Sequence, residues 1–209
     1  MKSTTFIVCV ALSAGARMWA QNDEPSIQVV GHTVVEAGQY RVSFGDSYIV
    51  SLSLDRDYLV LAAGIKGKAG VLGYVLAPPD DNSALSVSFG DPMQEHSDAE
   101  ISRAPGFTRI EHRSVMVGSK SVTFRVWSDA LHTYSDGVAE IAVSASSPTK
   151  TVRLALDLMA NSTDRISALE QSLASLRVGV RPNQLPDPTS PSVTRPAGAG
   201  HAPSVTADH

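Results

Sequence analysis

Between Tyr40 and Met159 the chain keeps returning to one pattern, in which apolar and polar residues alternate. Successive side chains of a strand point to opposite faces, so a period of two marks a strand with one face buried. Tyr40, Val42 and Phe44 alternate with Arg41 and Ser43, and after Gly45-Asp46-Ser47 the residues Tyr48, Val50, Leu52 and Leu54 alternate with Ser51 and Ser53. This spacing predicts a hairpin over 40–54. Tyr58–Ala63 and Val71–Leu76 form a second candidate pair, and Leu85–Phe89 a further strand. Ser114–Val117 and Ser121–Trp127 predict another hairpin around Gly118-Ser119-Lys120, and Val138–Ala145 predicts pairing with Thr151–Met159. The run Val-Ser-Phe-Gly-Asp occurs at 42–46 and again at 87–91. A structural repeat carries its likeness through a whole unit, whereas this one stops after five residues; each copy is a strand entering a Gly-Asp turn.

The segment Thr151–Val178 changes period midway. Val152, Leu154, Leu156 and Leu158 share one face of a strand, with Arg153 and Asp157 on the other. Asn161-Ser162-Thr163 then supplies capping oxygens, and Asp164 suits the positive end of a helix. Ile166, Leu169, Leu173 and Leu176 follow at spacings of three and four, a single apolar stripe. Arg177 suits a last helical turn, Gly179 a stop, and Pro182 bars continuation. The fold class expected is therefore α+β: a mostly antiparallel sheet with a C-terminal amphipathic helix packed on it. A second short helix is expected near 92–102, beginning at the capping pattern Asp91, Pro92, Gln94 and ending at Ala104-Pro105-Gly106.

An antiparallel sheet that closes with a strand, a polar turn and a helix ending in Ser-Leu-Ala-Ser-Leu-Arg-Val resembles the end of small PsbP/Mog1-type α/β sandwich domains. The likeness covers residues 151–178, and it implies a non-catalytic accessory or binding module.

Both ends of the chain differ from its middle. Lys2 followed by an uncharged run from Thr4 to Ala16, with cleavage points after Ala16 or Ala20, is the pattern of a secretory signal peptide over 1–20. The run is too short to span a bilayer, and no later stretch is long and apolar enough to form a transmembrane segment. Without residues 1–20 the chain carries 15 basic and 21 acidic side chains, a net charge of -6, and lacks Cys9, its single cysteine. A folded domain without a disulfide fits a bacterial periplasmic or secreted setting and relies on its core. Residues 21–180 are expected to form one domain. From Arg181 the sequence is rich in Pro, Ser, Thr, Gly and Ala with no apolar period, the composition of a disordered tail over 181–209.

Charge and motif content narrow the function. The net charge of -4 with no basic stripe argues against a nucleic-acid partner. Gly64-Ile65-Lys66-Gly67-Lys68-Ala69-Gly70 departs from a phosphate-binding loop, since Ala62 and Ala69 stand where a glycine and a Ser or Thr are needed. No Gly-x-Ser-x-Gly elbow occurs. No cofactor is implied. Two polar segments remain. Gly90–His112 is the longest stretch without strand pattern and carries Glu95, His96, Asp98 and His112. Ser128–Gly137, expected to be a polar loop, carries Asp129, His132, Tyr134 and Asp136. His32, between Val30 and Val34, fits a structural histidine, and Trp127 a core anchor.

The expected function is an exported binding or interaction module for a protein or small ligand of the cell envelope. Its candidate binding residues are Glu95, His96, Asp98, His112, His132 and Asp136. The alternative is an envelope hydrolase or metal-dependent enzyme that uses the histidines and acids of 90–112 and 128–137. Spacing alone cannot bring those two segments together or hold them apart.

Overall fold

Each alternating segment is a strand. The computed structural model describes residues 25–66, 69–90, 97–144 and 150–181. The proposed signal peptide, the tail beyond Arg181, Glu95 and His96 lie outside the described residues. In chain order the elements are β1 (Pro25–His32), β2 (Val34–Glu36), β3 (Gln39–Phe44), β4 (Tyr48–Leu54), β5 (Leu59–Ile65), β6 (Gly73–Ala77), β7 (Ala84–Phe89), α1 (Asp98–Ile101), β8 (Glu111–Val117), β9 (Lys120–Ser128), β10 (Thr133–Ala142), β11 (Thr151–Ala160), α2 (Thr163–Leu173) and β12 (Arg177–Val180).

The strands make two antiparallel sheets. One has eight strands in the order β1-β5-β6-β7-β11-β10-β9-β8, the other four in the order β12-β4-β3-β2. The β3–β4, β5–β6, β8–β9 and β10–β11 pairings are those the alternation predicts. The sheets are joined both by the chain and by a backbone bridge. β1 and β2 follow one another around Thr33, passing from an edge of the large sheet to an edge of the small one. Val143, just past β10, bridges in parallel to Val178 of β12. Val42, Phe44, Val50, Leu52 and Leu54 of the small sheet share a single core with Leu76, Leu85, Val87, Phe124, Leu154, Leu156 and Leu158 of the large one.

Helix α2 sits between the sheets, touching β4 of the small one and β8, β10 and β11 of the large one. Its stripe Ile166, Leu169 and Leu173 is fully buried, and each such side chain contributes about 1.5–3 kcal/mol relative to exposure. Ser162 caps it, accepting from the Arg165 amide at 3.2 Å. The Asn-Ser-Thr triplet thus serves as a helix start. Arg165 anchors the first turn inside the core. It donates to Asp55, to the Tyr58 hydroxyl and, at 3.3 Å, to Ser83 Oγ, and it lies 3.4 Å from Asp81. Burial would raise the Asp55 pKa, but Arg165 and Arg56 outweigh it and hold the carboxyl below its ordinary value. Burial pushes the Tyr58 hydroxyl up, against the pull of Arg165.

The structure corrects the α+β expectation. Strands take up 57% of the described residues and helix 11%, so this is a mostly β fold with two short helices and no long C-terminal helix laid on a sheet. The apolar stripe continues to Leu176, but helical backbone ends at Leu173. Leu176 is buried without being helical, and Arg177–Val180 turns back as β12 to pair with β4. The apparent last turn and stop signal are the start and middle of a strand. The physical reason is that β4 would otherwise leave one edge unpaired, and satisfying that ladder outweighs another helical turn.

The second helix is also shorter than expected. α1 spans four residues, and its capping box is Ser97 with Glu100; the Asp91 pattern lies outside the described residues. Ser128–Gly137 is not a loop. Only Asp129–His132 forms the turn, and β10 begins at Thr133. Trp127 is buried, whereas His32 is exposed on β1. Among the described residues no helix is long and apolar enough to cross a membrane.

Candidate functional site

Residues opposite one another on neighbouring strands share a face of the sheet. Following the register from strand to strand places His112, Arg125, Asp136, Asp157, Ser86, Val75, Leu61 and Val29 in one row across all eight strands. The row lies on the face turned away from the core, because Phe124, Ser135 and Leu156, one residue removed, point inward. One half of the row is ionisable or polar and the other half apolar.

Arg125 organises the ionisable half. Its Nε lies 3.2 and 3.3 Å from the two Asp136 oxygens, its Nη2 2.7 Å from Asp136, and its Nη1 2.9 Å from Asp98 at the start of α1. The Asp136 hydrogen bond raises the Arg125 pKa, against the effect of burial. The guanidinium also lies 5.9 Å from the centre of the Trp127 ring, which stacks on Tyr134 at 5.2 Å and 14°. Such a pairing of cation and aromatic face adds on the order of 0.5–1 kcal/mol. Tyr134 donates to Asp129 at 3.0 Å, and burial followed by that carboxylate pushes its pKa up.

Asp157 is the unusual member. It is partly buried between Asp136 on β10 and Ser86 on β7. Burial first, and Asp136 second, push its pKa up to about 7, with Arg125 opposing. A carboxyl whose pKa is pushed toward neutrality by burial and a neighbouring acid is a recurring feature of functional sites.

The two segments singled out by sequence meet here. The Ala130 amide donates to the Pro105 carbonyl at 2.8 Å, and the Thr108 amide to Ser128 at 3.2 Å. Gly106 makes that approach possible. It has φ +76°, and a Cβ there would stand 2.8 Å from the Ala130 nitrogen. Asp129 Oδ1 accepts from the Leu131 and His132 amides at 2.8 and 2.7 Å, closing the β9–β10 turn. Leu131 stands at the tip with 74% of its surface exposed.

Asp98, Arg125 and Asp136 thus form one ion network, with His112 beside Arg125 and His132 edge-on to Tyr134 at 6.0 Å. Among the described residues neither imidazole hydrogen-bonds a carboxylate or a serine, and no group of three His, Cys, Asp or Glu could hold a metal. Arg125, Trp127 and Asp157 were not singled out from sequence as site residues. The signal for Asp157 is its place as the one acid within Leu154–Met159; Arg125 alternates with apolar residues like any outward strand residue. No protein-family model, no curated protein and no solved structure matches this chain.

Proposed function

We propose that this is an exported, periplasmic or secreted, bacterial binding module, and that it contacts its partner through the joined 97–109 segment and β9–β10 turn. The observation that carries this reading is the docking of the two segments, with Leu131 exposed in the β9–β10 turn and the charges of Asp98, Arg125 and Asp136 paired to one another. Rigid loops with an exposed apolar residue in a polar rim are how scaffolds present binding surfaces. The signal-like start motivates the exported setting.

The test is capture from a native envelope fraction by immobilised protein, comparing wild type with Leu131→Asp. An exposed turn residue tolerates the change in stability, so the melting temperature stays the same while the captured partner is lost. Partner retention by Leu131→Asp, or no partner at all, overturns the proposal.

A second reading, an acid–base enzyme of the envelope, is favoured by the Asp136–Asp157 pair and its proton-holding member. Ester, amide and glycoside turnover that is lost in Asp157→Asn would select it over the binding module.

A further inference from the structure

The opposite face of β8, β9 and β10 holds a cleft of about 360 Å³, within the size range of small-molecule sites. Its lining includes Arg109, Glu111 and Arg113 with the hydroxyls of Ser128, Thr133 and Thr163. Arg109 and Glu111 form a largely exposed pair at 2.6 Å, on the rim. Thr163 is the first residue of α2, at the positive end of the helix dipole. Thr133 and Ser128 share a hydrogen bond of 3.0 Å, with either one able to donate.

Arg113 is held from behind. Glu170 of α2, 8% exposed, accepts from Ser135 Oγ at 2.6 Å and from Arg113 Nε at 3.0 Å on the same oxygen. Arg113 Nη2 lies 2.8 Å from that oxygen as an ion pair, but at an angle that makes no hydrogen bond. Nη1 has no hydrogen-bond partner among the described residues, and it is not one of the buried polar atoms. A buried Arg–Glu pair gains little over apolar residues of the same volume. This pair does what an apolar pair cannot: it fixes a guanidinium in a cleft wall with Nη1 left unpaired.

We infer that this cleft binds a small carboxylate-bearing molecule of amino-acid to dipeptide size, its carboxylate on Arg113 and flanked by Ser128, Thr133 and Thr163. A charge-assisted hydrogen bond from Nη1 suits a carboxylate oxygen. A phosphate dianion fits less well, because the cleft offers one inner guanidinium and Glu111 repels extra negative charge at the rim. Glu170 and Ser135 are positioning residues that touch Arg113 or one another and not the ligand. The cleft shares Thr108 and Arg109 with the 97–109 segment, but its test reads Arg113 rather than Leu131, so either proposal can fail alone.

The test is NMR titration of the full chain, labelled with nitrogen-15, using N-acetylglycine as the probe and inorganic phosphate as the comparison. N-acetylglycine shifts the Arg113 Nε–H and the amides of Ser128, Thr133 and Thr163 saturably. Arg113→Gln weakens binding at least about ten-fold, while Arg41→Gln, on the small sheet, leaves it unchanged. Glu170→Gln weakens binding and also moves the Arg113 Nε–H resonance in the ligand-free protein, which a purely structural role would not do selectively. Should Arg113→Gln not fold, Thr133→Val supplies the comparison, with weaker binding expected. Absence of saturable shifts, or undiminished binding by the folded variant tested, overturns the site. Phosphate binding as tight as N-acetylglycine overturns its carboxylate assignment.

Discussion

Asp136 and Asp157 stand directly opposite each other on β10 and β11, both on the face turned away from the core, and Arg125 grips only the first of them. Two carboxyls at cross-strand distance cannot both ionise cheaply. The pair settles this by leaving Asp136 as the arginine's partner and Asp157 with its pKa raised to about 7.

The sign of the pH effect follows. The folded state holds a proton on Asp157 that the unfolded state has released above its ordinary value of 3.8. Stability from this group is therefore fully present below pH about 4 and lost as the pH rises through about 7. Asp157→Asn should equal wild type near pH 4 and exceed it by about 2 kcal/mol at pH 8, the full shift being discounted for partial exposure. Urea unfolding at the two pH values measures it. A variant no more stable than wild type at pH 8 would contradict the assignment.

Removing the cation should do the opposite. Arg125→Gln leaves Asp98 and Asp136 without their shared partner and Asp157 without the charge that restrains it, at a cost of about 2–3 kcal/mol at pH 7. Asp136→Asn in the same background should recover part of the loss, giving a coupling of about 1 kcal/mol or more in a double-mutant cycle. Strict additivity would mean that the contact contributes nothing.

Gly137 lies where β10 crosses the Phe124 ring, and a Cβ there would come within 2.6 Å of Phe124 Cδ2. Phe124 is fully buried and has little room to give. Gly137→Ala should cost about 1–3 kcal/mol, lowering the melting temperature by roughly 2–4 °C per kcal/mol for a chain of this size. The penalty should shrink when it is measured in a Phe124→Leu background. An equal penalty in both would place the strain elsewhere.

Arg165 ties α2 to the Asp55, Asp81 and Tyr58 cluster. Arg165→Met should destabilise by about 3 kcal/mol at pH 7, because it leaves buried polar groups without their partner. The Asp55 pKa is depressed, so its contribution is present above its ordinary value of 3.8 and lost as the pH falls through the lower folded value. Wild type should therefore lose its advantage over the variant on acidification below about pH 4. Chemical unfolding at pH 3 and pH 7 distinguishes this from a packing effect, which would be the same at both.

The parts of the fold that were legible are those in which one strand carries its own signal. Val50, Leu52 and Leu54 alternate, and so do Val152, Leu154, Leu156 and Leu158, because one face of each meets the core. β2 is exposed at all three positions, and β12 buries only Val178, so neither alternates over enough residues to be read. The stripe Ile166–Leu176 correctly marks buried residues but overstates the helix, since Leu176 is buried by the chain's turn into β12. Asp98, His112, His132 and Asp136 could be named as polar groups outside the core pattern. Arg125 and Asp157 could not be named as their neighbours.

The sequence by itself determined which residues face the core, where most strands run and where α2 begins, because periodicity and capping are local. Only the tertiary structure decided that β12 closes an edge of the small sheet and that Gly106 meets Ala130. It alone decided, too, that Asp157 faces Asp136 across β10 and β11. Those relationships depend on register between segments distant along the chain. A shift of one residue would turn every side chain of a strand to the opposite face.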